Sequence, residues 1–266
     1  MKVGLALGSG GAKGIAHIAY LEVLDQLRIQ TSRIAGSSMG ALVGAFYAAG
    51  MSASRIRDLA LGIGLRDLPK MIDISRLKDS GLIKGRKIED WLAENLPVRR
   101  FDQLRIPLRI VATDFWRKEQ VVFEEGDLIP AIRASISIPG VLEPYPIGDR
   151  LLVDGGVVNP VPFDLLGDAD FVVGIDVSGE AEPDGSRDPG RIEVLLGAYA
   201  IMGKIIMEQR AVDGRCSLYL RPPVAGFRSM DFLKAKEILD AVREDAEAFR
   251  LELMRRKVDR KARSAV

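Results

Sequence analysis

The 266-residue chain has one cysteine and one histidine. The lone Cys216 excludes an intrachain disulfide, and with no signal peptide read at its start the expectation is a reducing, cytoplasmic setting. The lone His17 leaves a Ser-His-Asp triad a single residue to draw on. Charge of one sign is missing too: the formal net charge is +1, so the molecule as a whole does not select for nucleic acid. No uninterrupted run reaches the roughly 18 apolar residues of a membrane span. The nearest, Ile34 to Met51, is broken by two serines and four glycines. Neither a metal-ligand spacing nor an internal repeat is visible, so no metal or cofactor is expected.

What remains is ordinary globular composition, 47% hydrophobic and 28% charged. Strand-like and helical runs alternate, which predicts a three-layer α/β/α sandwich with a mostly parallel central sheet. Strands are expected at Lys2 to Leu7, before Gly36, at Pro107 to Thr113, Gln120 to Phe123, Leu151 to Val153, Phe171 to Ile175 and Ser217 to Leu220. Helices are expected from the first glycine loop to about Ile29, from Ser52 or Ser54 to Leu61, and at Arg86 to Asn95, Asp127 to Ser135, Ile192 to Ala211 and Ser229 to Lys257. The segment Glu180 to Pro189 reads as a polar loop. The length suits a single domain over 1–266, with a core at about 1–178, a cap-like segment at about 51–105 and a helical extension at about 190–266.

The chain is organised around Gly36-Ser37-Ser38-Met39-Gly40, which has the form G-x-S-x-G between a short apolar run and a long small-residue one. That is the context of a nucleophile elbow. Gly36 and Gly40 lack a Cβ and let backbone come close. Ser38 then sits at a helix start, its own amide and that of Met39 facing an oxyanion.

Upstream lies a second glycine stretch, Gly8-Ser9-Gly10-Gly11-Ala12-Lys13-Gly14, between a strand and a helix, which is an anion site by construction. A dinucleotide fingerprint fails, because its last glycine falls on Lys13 and no acid follows the second strand. A P-loop fails because Lys13 precedes Gly14. A short-chain dehydrogenase pair fails because Tyr199 and Lys204 miss the required spacing by one. An oxyanion hole beside Ser38 is the remaining use. His17 lies on a mostly apolar helix face with Tyr20, Leu21 and Leu24, and reads as structural, pointing away from the loop.

With histidine set aside, a carboxylate must accept the serine proton. Asp114, Asp154 and Asp176 all sit at strand ends. Asp154 has the better local setting, because Gly155 and Gly156 let another segment approach. Burial raises a carboxylate from its ordinary value near 3.9 toward the working range of a general base.

Taken together the residues resemble the patatin-like phospholipases, in particular small bacterial members, from Gly4 to about Ser178. The resemblance rests on the glycine loop leading into Ala16-His17-Ile18, on the Gly36 to Gly40 elbow, on Ala112-Thr113-Asp114, on Arg133 to Gly140, and on Val153-Asp154-Gly155-Gly156 through Pro162. It implies a serine lipid acyl hydrolase with a Ser38-Asp154 dyad, no catalytic histidine, and amides of Gly10, Gly11 and Ala12 as oxyanion donors. Lys13 stands where many members carry arginine. A lipid or acyl-ester substrate and peripheral membrane contact follow as expectations. The apolar Leu65, Leu68, Met71, Ile72, Ile74 and Leu77 are candidates for an acyl-binding wall or a membrane-facing surface, and a tail, Arg255 to Val266, with six basic residues, is a candidate for attraction to anionic lipid. The competing readings are a nucleotide-dependent oxidoreductase built on the first glycine loop, and a non-catalytic adaptor for a lipid or a partner.

Overall fold

The computed structural model describes residues 2–64, 73, 83–167, 169–179, 188, 190–211 and 216–263. The chain opens with β1 (Val3–Leu7), a 3-10 turn over Gly11–Ala16 and α1 (His17–Gln26). Next come β2 (Thr31–Ser37), α2 (Met39–Ala48), α3 (Ala53–Gly62) and α4 (Arg86–Asn95). Then follow β3 (Leu108–Asp114), β4 (Glu119–Phe123), α5 (Leu128–Ser135), β5 (Tyr145–Ile147), β6 (Arg150–Asp154) and β7 (Phe171–Ile175). Last are α6 (Arg191–Ala211), β8 (Leu218–Leu220), α7 (Ala235–Ala241) and α8 (Arg243–Arg263).

Among the described residues the sheet has eight strands in the order β5-β6-β3-β2-β1-β7-β8, with β4 also paired to β3. Its parallel body runs from β3 through β2, β1 and β7 to β8, and the antiparallel pairings all involve β3 or β6. This is an α/β fold with a mostly parallel central sheet flanked by helices. Period-two alternation sorts the side chains. Val3, Leu5, Leu7, Ile34, Ile110, Val173 and Ile175 join one large core with the helical layer. Ala6, Ala35 and Val172 face a thinner layer formed by Val161 to Leu166 and Met207 of α6.

One detail of the sheet positions the site. β2 pairs with Leu108 to Val111 of β3, and β6 pairs with Ala112 to Asp114. β4 lies opposite Ile110 to Asp114 and occupies the other edge. A strand has two edges, so β2 and β6 share one, end to end. Ser37 is level with Val111 and Asp154 with Ala112. Two chain segments far apart in sequence therefore terminate beside each other.

The expected helix starts and ends hold closely at α3, where Ser52 Oγ caps by accepting from the Arg55 amide at 3.3 Å, and at α4. Three points differ. The first helix begins as a 3-10 turn and is buried on most sides, because α3 and α8 both pack on α1. The last helix is two, broken at the buried Val242 (φ −96°, ψ 5°), which turns α8 onto α1. β5 was not expected; its Tyr145 and Ile147 pack with Leu152 of its partner β6. The apolar residues Leu65 to Leu77, most of the loop Glu180 to Pro189, and the side chains beyond Arg256 lie outside the described residues.

We propose that 1–266 unfolds as one unit. Phe249 of α8 is buried and meets Tyr20 of α1 edge-on, ring centres 5.6 Å apart. Phe249→Ala is expected to lower stability by about 3–5 kcal/mol in a single urea transition; a second transition separating the C-terminal helices from the sheet would count against one cooperative unit.

Candidate active site

Ser38 sits where β2 turns into α2, with φ 55° and ψ −123°. That backbone region costs a non-glycine residue about 1–3 kcal/mol, and the surroundings enforce it. A Cβ on Gly36 would come within 2.7 Å of the Ala41 nitrogen, and one on Gly40 within 2.0 Å of the Leu7 carbonyl oxygen. Both positions must be glycine for the elbow to close. The Ser38 amide donates to Ser135 Oγ at 2.9 Å.

Asp154 ends β6 and is fully buried. Its Oδ2 accepts from Ser38 Oγ at 2.6 Å. Its Oδ1 accepts from the Gly156 amide and from Tyr199 Oη, each at 2.8 Å. The Asp154 amide donates to the Ser137 carbonyl at 2.9 Å, and Thr113 Oγ1 donates to the Asp154 carbonyl at 2.8 Å. The end of α5 thus touches both residues, Ser38 through Ser135 and Asp154 through Ser137. Burial pushes the Asp154 carboxyl up to about 6, against the opposing hydrogen bonds from Ser38, Gly156 and Tyr199. A Cβ on Gly155 would lie 2.1 Å from the Val111 carbonyl oxygen, and one on Gly156 would lie 2.1 Å from Tyr199 Oη. The other two strand-end carboxylates lie elsewhere. Asp114 receives the Trp116 and Arg117 amides, and Asp176 receives the Ser178 amide and Tyr219 Oη.

The first glycine loop wraps the same space. A Cβ on Gly14 would lie 2.4 Å from Met39 Cγ, which is how close the loop comes to the elbow. The amides of Gly8 and Ser9 donate to the Ile175 and Pro160 carbonyls at 3.0 and 2.8 Å. Two expectations need correction. The Ala12 amide donates to the Ser229 carbonyl at 2.8 Å, and the Ser38 amide is engaged by Ser135, so neither faces an oxyanion. The amides of Gly10, Gly11 and Met39 have no partner among the described residues. Lys13 is buried and its Nζ donates to the Ser178 and Gly179 carbonyls, pinning the loop to the segment after β7; desolvation lowers its pKa, and Asp176 opposes the shift.

His17 does not point away from the loop. Its Nε2 donates to the Gly8 carbonyl at 2.8 Å, because the 3-10 turn carries the ring back over the strand end. Burial lowers it to about 4, against the Gly8 bond and the Asp176 charge, so it is neutral at physiological pH. It braces the loop and makes no hydrogen bond to Ser38 among the described residues.

Ser38, Met39 and Gly11 open onto a cavity of about 210 Å³. Away from Ser38 its walls are apolar, with Phe46, Ile56, Leu59 and Trp91 among them. The residues at the site that sequence reasoning did not assign are Tyr199, Ser135 and Ser137. Ser135 and Ser137 fall within the Arg133 to Gly140 stretch, where the sequence gives neither a role. Tyr199 enters the sequence reading only through the dehydrogenase spacing it fails to meet. Among the described residues no group of His, Cys, Asp and Glu is arranged to hold a metal, and no helix is long and apolar enough to cross a membrane.

An uncharacterized NTE family protein of Mycobacterium tuberculosis is 38% identical over 191 residues, which is 71% of this chain and 52% of that protein. Human patatin-like phospholipase domain-containing protein 6 is 28% identical over 270 residues, 90% of this chain and 19% of that one. The chain spans about half the length of the mycobacterial relative (52%) and a smaller share of the human one (19%). Among solved structures, VipD from Legionella pneumophila aligns with a TM-score of 0.57 at 14% identity, covering 93% of this chain and 66% of VipD, a likeness of fold. The patatin-like phospholipase family matches residues 5–166, a span that holds Ser38, Asp154 and both glycine motifs. On that match, which runs over more than half of the sequence, the chain belongs to the patatin-like phospholipase family.

Proposed function

We propose that this chain hydrolyses carboxylic esters of lipids through Ser38 and Asp154. The observation that carries the reading is the 2.6 Å contact between the fully buried Asp154 carboxylate and Ser38 Oγ, the serine lining an apolar cavity. Asp154 takes the Ser38 proton as Oγ attacks the acyl carbonyl. The carbonyl oxygen becomes an oxyanion before the amides of Gly10, Gly11 and Met39, at the positive end of α2. Collapse breaks the ester bond, and the departing alkoxide takes the proton back from Asp154. Asp154 then removes a proton from water, the hydroxide attacks acyl-Ser38, and fatty acid leaves as Ser38 regains its proton.

The nucleotide reading has less support. Four amides of the first glycine loop, those of Gly8, Ser9, Ala12 and Lys13, are engaged by carbonyl oxygens, and the space beside the loop is apolar. An adaptor has no need of a strained serine backbone held against a buried base. The lipid surface itself is met, in this proposal, by the outer face of α6. Val194, Ile201, Met202 and Ile205 are exposed there at helical spacing, and Leu195 of the same helix lies over Gly140, between the cavity-lining Ile138 and Val141.

Ser38→Ala and Asp154→Asn are each expected to lower ester turnover by at least about 10³-fold. A fluorophosphonate probe is expected to modify Ser38 alone; turnover surviving in Ser38→Ala ends the proposal. A base must be deprotonated to act, and burial has raised this one. Wild-type kcat/KM is therefore expected to be lost as pH falls through about 6 and to reach a plateau above it. Leu59→Trp, which fills the cavity wall, is expected to lower kcat/KM for long-chain esters about tenfold or more while sparing short ones; equal losses for both would place the acyl chain elsewhere. Ile201→Asp with Ile205→Asp is expected to weaken sedimentation with phospholipid vesicles and leave a soluble short-chain ester unaffected.

A further inference from the structure

Asp154 receives a bond that the outlined reaction does not use. Tyr199 Oη donates to Oδ1 at 2.8 Å, on the side of the carboxylate away from Ser38. Tyr199 belongs to α6, outside the residues matched by the family. Much of that helix faces solvent, with Val194 54%, Ile201 62% and Met202 56% exposed. Tyr199 is the residue that reaches inward to the carboxylate, and the chain makes room for it. A side chain at Gly156 would meet its hydroxyl at 2.1 Å and Ser9 Oγ at 2.6 Å. Hydroxyl, glycine and carboxylate are fitted to one another.

We propose that Tyr199 is a positioning residue for the dyad, its hydroxyl and the Gly156 amide together holding Oδ1 so that Oδ2 alone is presented to Ser38. This rests on the Ser38-Asp154 reading above and adds to it. A carboxylate free to rotate would share its oxygens between Ser38 and the Gly156 amide; two donors on Oδ1 fix which oxygen moves the proton. The same bond favours the ionised form, since a hydrogen bond donated to a carboxylate stabilises its charge. Tyr199 itself stays protonated, because burial and the adjacent carboxylate raise its hydroxyl well above the usual range. It is a donor at every working pH.

Among the described residues few groups meet Asp154. Its carboxylate receives Ser38 from the elbow, the Gly156 amide from the turn after β6 and Tyr199 from α6, while its backbone meets Thr113 Oγ1 and the Ser137 carbonyl; Ser9 of the glycine loop bonds the Tyr199 hydroxyl. No charged side chain is among the causes of the Asp154 shift. Among the described residues the tyrosine is thus the one side chain beyond Ser38 whose removal changes the balance directly.

The test is the pH profile of kcat/KM for a short soluble ester, with the rate of fluorophosphonate labelling of Ser38 measured in parallel. It compares wild type, Tyr199→Phe and a protein with 3-fluorotyrosine at position 199. Tyr199→Phe keeps the ring and loses the donor. Its acid limb is expected to move up by about 0.5 to 1 pH unit, a two- to fivefold loss near pH 6 that vanishes by about pH 8.5. Fluorination makes a stronger donor and is expected to move the limb down. A uniform loss at all pH values with the limb in place would make Tyr199 a packing residue and overturn the proposal. If Tyr199→Phe does not fold by circular dichroism, the fluorinated protein decides: an unmoved limb overturns it equally. Wild-type protein that neither turns over ester nor labels at Ser38 would instead remove the dyad reading on which this one rests.

Discussion

A carboxylate sits inside this protein without a cation beside it. Desolvation works against its charge, and the groups set against that penalty are all neutral: a serine hydroxyl, one backbone amide and a tyrosine hydroxyl. A carboxyl raised from 3.8 to about 6 costs the folded state about 3 kcal/mol once ionised at neutral pH. The sign follows from linkage. The native protein binds its proton more tightly than the unfolded chain, so stability from this group falls as pH rises through the interval between 3.8 and about 6. A structural ion pair would run the other way. Stability is given up for a carboxyl that titrates near neutrality, which is what the proposed proton transfer requires.

The rest of the architecture answers to that constraint. In the proposed reaction the carboxylate must lie beside Ser38, and β3 brings the two together by seating β2 and β6 end to end on one edge. The turn after β2 aims the serine, with its backbone in a costly region and glycines closing around it. The end of α5 then ties both partners through Ser135 and Ser137. Histidine is left to brace a loop. Its ring binds the Gly8 carbonyl, and burial keeps it neutral.

Much of this was legible in the order of residues because it is written locally. An elbow is a strand, a tight turn and a helix within a dozen residues, and glycine flanks reveal it. Strand ends with aspartate are equally visible, and the pair of glycines after Asp154 singled it out. The rest depends on contacts that no local pattern encodes. The carbonyl that engages the Ala12 amide comes from Ser229, far along the chain. Tyr199 reaches Asp154 from a helix 45 residues later, and its neighbours on that helix look like any apolar surface. His17 was placed on the right face with the wrong direction, since the 3-10 turn before it rotates the ring toward the loop. The break at Val242 has neither glycine nor proline to announce it; packing on α1 sets it.

The end-to-end seating of β2 and β6 also governs timing. Ser38 and Asp154 are separated by 116 positions, so a growing polypeptide contains the serine long before the aspartate is added. Until β6 docks, that hydroxyl is an ordinary alcohol with no acceptor at hand. Under the proposed mechanism the proton acceptor therefore arrives only when the sheet is completed at β6.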